Sequence, residues 1–351
     1  MAKAILPRFG GTTGVWVTSM LFFQVVLLMG YLYSYLVTRH LNRKVQALLH
    51  VALLILSLAW LPLSLRIGGA EADTENPVLA ILGILLISVG LPYFLLSTTS
   101  PLLQSWLAAS SAVVFPYRLF ALSNAASLMA LLAYPVAIEP LLSLKQQMRW
   151  WSVGYAALVL CASLAAFRHG SETVVEEKSY PVGSERRPLL WIGLACCAST
   201  LWLGVANHLS REVAAIPFLW VLCLSLYLLS FILCFEGDGW YRPALFRWLL
   251  PAAWLAAGYR ISRGGEAGVL KWELPVFCAA LLIWCVFCHG ELARTKPRPR
   301  QGLAFFYLMI ALGGALGAVF VGVIAPNIFS TYLELPIGIT ASILLGLFLL
   351  Y

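Results

Sequence analysis

Charge is what this sequence has least of. Asp, Glu, Lys and Arg together make up 11% of its 351 residues, against roughly 25% in soluble domains. So few charges cannot cover a water-facing surface, which excludes a soluble globular fold and leaves lipid as the main solvent. Backbone groups in lipid must bond within their own element, so only helices or closed barrels cross it. The sequence also lacks long stretches that alternate apolar and polar residues, which excludes a barrel. Cysteines in hydrophilic loops are lacking too. Cys161, Cys196, Cys197, Cys223, Cys234, Cys278, Cys285 and Cys288 lie in apolar runs or at their ends, so a disulfide framework is excluded and they read as small core hydrophobes. No small-residue cleavage site follows the first apolar run, which is far longer than a signal h-region. It is expected to stay as a membrane helix. Paired-carboxylate, nucleophile-elbow and P-loop patterns are missing as well, so phosphate chemistry and nucleic-acid binding have no support.

What is present is apolar length. Hydrophobic residues make up 61% of the chain and the mean hydropathy is +0.88. A helix needs roughly 20 apolar residues to cross a bilayer core about 30 Å thick. Runs of that kind predict an all-α integral membrane protein of about 11 transmembrane helices, at residues 13–38, 46–65, 77–97, 117–138, 148–167, 188–206, 215–235, 245–260, 271–290, 302–325 and 335–351. The eighth carries Pro251 and is the least regular. Ser100-Pro101 is a helix-start signal and predicts a short interfacial helix near 100–111, with Trp106 at headgroup level.

One stretch is polar. Glu172, Glu176, Glu177, Lys178, Glu185, Arg186 and Arg187 mark residues 168–187 as a linker. It divides the chain into an N-terminal membrane half of about five helices (1–167) and a C-terminal half of about six (188–351). Loops after odd-numbered spans carry more Lys and Arg than the others, including Arg39, Arg43, Lys44, Arg294, Lys296, Arg298 and Arg300. That bias puts them in the cytoplasm and the N-terminus outside. The positive balance suits anionic headgroups.

A weak repeat links the halves. Tyr117–Ser127 (YRLFALSNAAS) aligns with Tyr307–Gly317 (YLMIALGGALG), with Tyr, Ala and Leu in register. The small pair Ser123 and Ser127 falls opposite Gly313 and Gly317. Small residues four apart allow close helix–helix approach, so these four are expected at crossings. The match pairs span 4 with span 10, the offset of two six-helix halves, as in major-facilitator transporters.

Polar side chains inside a membrane face a partner or a cavity. Gln24 lies mid-span in the first helix and Asn124 in the fourth. Each is a candidate cavity-lining group, or alternatively an interhelical contact. Asn207 and His208, with Arg211 and Glu212, close the sixth span. His289 and Glu291 close the ninth. Both groups are candidate cavity residues or ordinary polar helix ends. Glu139 and Glu334 read as solvated interface residues. Cys285-Val-Phe-Cys288-His289 formally matches a haem-attachment pattern. Its place in an apolar, cytoplasm-side helix end argues against that use, and no cofactor or metal is implied.

Several strings carry a family resemblance. They are Pro7–Thr18 (PRFGGTTGVWVT), Phe22-Phe23-Gln24, Gly30-Tyr31, Leu96–Gln104 (LSTTSPLLQ), Ser123-Asn124, and Tyr134-Pro135 through Glu139-Pro140. Later come Asn207-His208-Leu209, Ile216–Val221 (IPFLWV), Tyr227–Phe231 (YLLSF), Cys288–Ala293 (CHGELA) and Phe306–Gly314 (FYLMIALGG). As a set, over nearly the whole chain, they resemble the membrane part of bacterial fused major-facilitator/spermidine-synthase-like proteins. The resemblance implies a multi-pass protein of the bacterial cytoplasmic membrane with two major-facilitator-like halves. Members of that family usually continue into a soluble aminopropyltransferase-like domain. The sequence ends in an apolar run at Tyr351, so it is expected to be either a shortened chain or a stand-alone membrane homologue, and the synthase activity does not carry over to it. The expectation is a membrane module that is not an enzyme on its own. It would be a scaffold, accessory subunit or anchor for a synthase-like partner or a larger membrane complex. The alternative is a transporter or binder of a small polar or cationic, polyamine-like solute.

Overall fold

The computed structural model describes residues 5, 9, 13–64, 76–109, 116–170, 187–212, 217–237, 239–263, 270–297 and 302–350. Among them there are helices and turns but no strand. Nine helices are long and apolar enough to cross a membrane. In chain order they are α1 (Thr13–His40), α2 (Arg43–Ser57, with a tighter final turn to Trp60), α3 (77–109), α4 (116–141), α5 (Leu144–Gly170), α6 (Arg187–Glu212), α7 (Pro217–Glu236), α9 (Leu270–Thr295) and α10 (303–328). The other two expected spans fall on α8 (Pro243–Ser262) and α11 (Glu334–Leu350). Neither is among the nine. Helix α8 carries Arg247, Pro251 and Arg260 within an apolar sequence. Helix α11 has 17 residues, about 25 Å at 1.5 Å per residue.

Two expectations change along the chain. Residues 100–109 do not form a separate interfacial helix. The helix runs unbroken over Leu91–Ala109 with Pro101 inside it. A proline is tolerated in a membrane helix where nearby hydroxyls bond back onto the backbone. In the turn before it, Ser97 donates to Phe94 O, and Thr98 and Thr99 both donate to Leu95 O, which takes these hydroxyls out of the lipid. Trp106 is accordingly buried, its indole donating to Gln46 Oε1 at 2.8 Å. The polar linker expected from residue 168 begins later, because α5 runs on to Gly170. Residues 171–186 of it lie outside the described residues.

Three helices each contain one wide, π-type turn, at Leu86–Gly90, Tyr134–Ile138 and Phe320–Ile324. In every case a proline stands two residues further on, at Pro92, Pro140 and Pro326. A proline ring collides with the carbonyl four residues back and offers it no N–H. In two of the three turns the amide just before the proline reaches back five residues, Glu139 N to Tyr134 O and Ala325 N to Phe320 O. The turns at 134 and 320 fall four residues out of the register in which Tyr117 meets Tyr307.

The described chain forms two compact units. The first takes residues 1–116, 133–183 and 297–311; the second takes 117–132, 184–296 and 312–351. In the first, α1 packs on α3, and α5 packs on α2 and α3. Its core holds Phe22, Val26, Leu85 and Val89 at one level and Val37, Val51, Leu102 and Trp106 at another. In the second, α9 packs on α6, α7 and α8, and α11 packs on α6 and α8. Trp202, Trp284, Phe277 and Phe287 fill its centre. Helix α10 meets α6 closely. A Cβ on Gly313 would lie 2.5 Å from Ile192 O, and one on Gly317 2.8 Å from Cys196 O. Only glycine permits that approach, and Ser199 Oγ seals it by donating to Gly314 O at 2.9 Å.

Candidate functional sites

Helix ends bring the polar groups of the second unit together. Arg260 near the end of α8 and Glu273 near the start of α9 pair through Arg260 Nη2 and Glu273 Oε1 at 2.6 Å, with Arg260 Nε at 3.0 Å from the same oxygen. His208 of α6 stands 3.3 Å from the other carboxylate oxygen, its ring against Phe277. One residue earlier, Asn207 Nδ2 donates to Glu334 Oε1 at 3.4 Å. Arg211 lies over the Tyr332 ring at 3.6 Å. Arg260, Glu273 and Glu334 are all buried. A buried charge without a partner is strongly unfavourable, so these contacts let α6, α8, α9 and α11 close here.

A second group lies on α9. Glu291, buried, accepts from Tyr241 Oη at 2.6 Å and from Arg294 Nη1 at 2.7 Å. Tyr241 belongs to the α7–α8 connection. Burial first, and the bond to Glu291 second, push its hydroxyl far above the ordinary tyrosine range, so it stays a donor. Gly290 lies against the Tyr241 ring where any Cβ would collide. His289 is wholly buried. Its Nδ1 meets Ser230 Oγ at 2.8 Å and its ring stacks on Phe231. Its Nε2 has no hydrogen-bond partner among the described residues. Cys285 and Cys288 are equally buried, and neither is in a disulfide. Among the described residues no three His, Cys, Asp or Glu side chains are placed to hold a metal ion.

The first unit holds a cavity of about 450 Å³ at the meeting of α1, α2, α3 and α10, where Arg39, Arg43, Tyr35 and Trp106 line it. A smaller one of about 250 Å³ adjoins Tyr241 and Arg294 in the second unit. Gln24 and Asn124 line neither. Gln24 is half-buried. Asn124 is also half-buried, and its Nδ2 donates to Phe120 O of its own helix. Ser123 and Ser127 are exposed, Ser127 donating back to Ser123 O. Among the described residues they are thus not at a close crossing, whereas Gly313 and Gly317 sit against α6. Glu139 is exposed. Glu334, expected to be solvated, is buried because Asn207 supplies it a donor.

Arg260 and Glu273 were missed as site residues. They sit on different helices with no shared motif. The available signal was an acidic residue just inside an apolar span, which demands a cationic partner.

Among known proteins, the sequence matches no protein-family model and no curated protein.

Proposed function

We propose that the chain is a non-catalytic, multi-pass membrane module, major-facilitator-like in build, that acts as a scaffold, accessory subunit or membrane anchor. Its partner would be a synthase-like protein or a larger complex of the bacterial cytoplasmic membrane. In this reading α8 and α11 cross the bilayer too, giving eleven spans. The observation that carries the reading is the state of α4. Its span Tyr117–Leu141 has only 11% of its most apolar window buried, and the small residues Ser123, Ala126, Ser127 and Ala130 are exposed along it. Membrane helices associate through such small faces. Arg260, Glu273 and His208, and likewise Glu291 and Arg294, at helix ends of the second unit, are by contrast tied to one another, which suits a structural role.

The second reading is a binder or transporter of a small polar or cationic solute. It is favoured by the hydroxyls of Ser123 and Ser127 on that same open face. One experiment separates the two. Ser123→Cys and Ser127→Cys, in a Cys161→Ala background, are treated in native membranes with a membrane-impermeant maleimide. Protection together with a crosslink to a second protein supports the scaffold. Ready labelling, relieved by polyamine, replaces it with the solute reading.

A further inference from the structure

The cavity of the first unit combines features that none of the structural contacts explains. It lies where α1 ends, α2 and α10 begin and α3 ends, so it sits at headgroup depth for helices of this length. Arg39 and Arg43 line it. Neither has a carboxylate partner among the described residues. The one acidic side chain among the described residues of this unit is Glu139, and it is not in the lining. Tyr35 accepts from Arg39 through its hydroxyl, which steadies that guanidinium. Gln46 is buried and engaged at both ends of its amide, its Nε2 donating to Leu41 O and its Oε1 accepting from Trp106. It fixes the wall. Two guanidinium forks in a carboxylate-free cavity match the geometry and charge of a phosphate. Leu303 and Ala304, in the first turn of α10, line the same space, and first-turn amides have no acceptor inside their helix. The Trp106 and Tyr35 rings supply an apolar wall for the carbon skeleton that bears the phosphate.

We infer that this cavity binds a phosphate-bearing anion, held by Arg39 and Arg43. The inference holds whether the module scaffolds or transports. Its source is either the headgroup of an anionic lipid or a free phosphate compound. The test is native mass spectrometry of the full chain in a neutral detergent, with phosphatidylglycerol, with diacylglycerol as a phosphate-free counterpart, and with inorganic phosphate as competitor. Phosphatidylglycerol should be retained over diacylglycerol. Each of Arg39→Gln and Arg43→Gln should weaken retention by about tenfold, the loss expected for one charge-assisted contact. Arg149→Gln, an exposed charge of the same unit, should change nothing. Ser105→Leu keeps both arginines but fills the cavity, so it should abolish retention with an unchanged melting temperature. Displacement by inorganic phosphate supports a site open to free phosphates. Its failure, with lipid retained, supports the headgroup. Equal retention of the two lipids overturns the inference, as does undiminished binding in the arginine variants or in Ser105→Leu.

Discussion

Arg260 and Glu273 face each other across the α8–α9 connection, guanidinium to carboxylate at 2.6 Å, and both side chains are nearly out of solvent. Their pairing joins two helices that share no sequence motif. It also brings His208 of a third helix onto the same carboxylate.

Removing one charge should therefore be worse than removing both. Glu273→Gln takes a counter-ion away from the buried Arg260 cation, a loss of about 3–5 kcal/mol. Replacing the pair by apolar residues, Arg260→Met with Glu273→Leu, removes the desolvation cost with the attraction and should recover much of it. Thermal unfolding in detergent measures both, and a double variant weaker than the single one would contradict the electrostatic account.

At the α6–α10 crossing, Gly317→Leu puts a side chain where Cys196 O and the Ser199 Cβ already stand within 2.8 Å of a Cβ. Overpacking of this kind costs about 1–3 kcal/mol and more where backbone is the obstacle. Leu344→Phe, on an exposed position of α11, should leave the melting temperature within a degree or two of wild type. Equal tolerance of the two changes would show that the helices can separate.

Tyr241→Phe takes one donor from the buried Glu291 carboxylate and should cost about 1–3 kcal/mol at neutral pH. The tyrosine's acidity is lowered in the folded state. Its contribution is thus fully present below the unfolded value of about 10 and declines as pH rises beyond it. Melting curves of wild type and variant should converge above about pH 10. A constant gap through that range would mean the hydroxyl is not the group involved.

The 351-residue chain should not transfer an aminopropyl group by itself. Such a reaction needs a bound nucleoside donor, carboxylates to orient the amine and a general base. Incubation with decarboxylated adenosylmethionine and putrescine should give no product. Turnover abolished by a substitution in this chain would move the chemistry into the membrane module.

Helical membrane character was legible because lipid leaves so few alternatives: composition and run length alone dictate it. The close seat of Gly313 and Gly317 against α6 was legible for the same kind of reason, since small residues four apart have few other uses in a span. Ser123 and Ser127 had the same spacing and lie exposed. Spacing tells that a face permits approach, not which helix takes it. Glu273 just inside an apolar span called for a cationic partner, but nothing in the sequence said which one, because Arg260 lies on a separate helix and charge at a helix end looks alike whether solvated or buried. Pro101 misled through a rule for soluble helices. In lipid the cost of ending a helix exceeds that of keeping a proline within it.

The wide turns before Pro92, Pro140 and Pro326 each hold a spare residue. Every side chain on one side of such a turn is rotated by about 100° from where counting along an unbroken helix would put it. Faces in α3, α4 and α10 must therefore be read separately on either side. The spare residue is also slack. Deleting one residue from Tyr134–Ile138 or Phe320–Ile324 returns the turn to ordinary helix locally. The same deletion at the middle of α6 has nowhere to be absorbed, and swings half the helix off its neighbours.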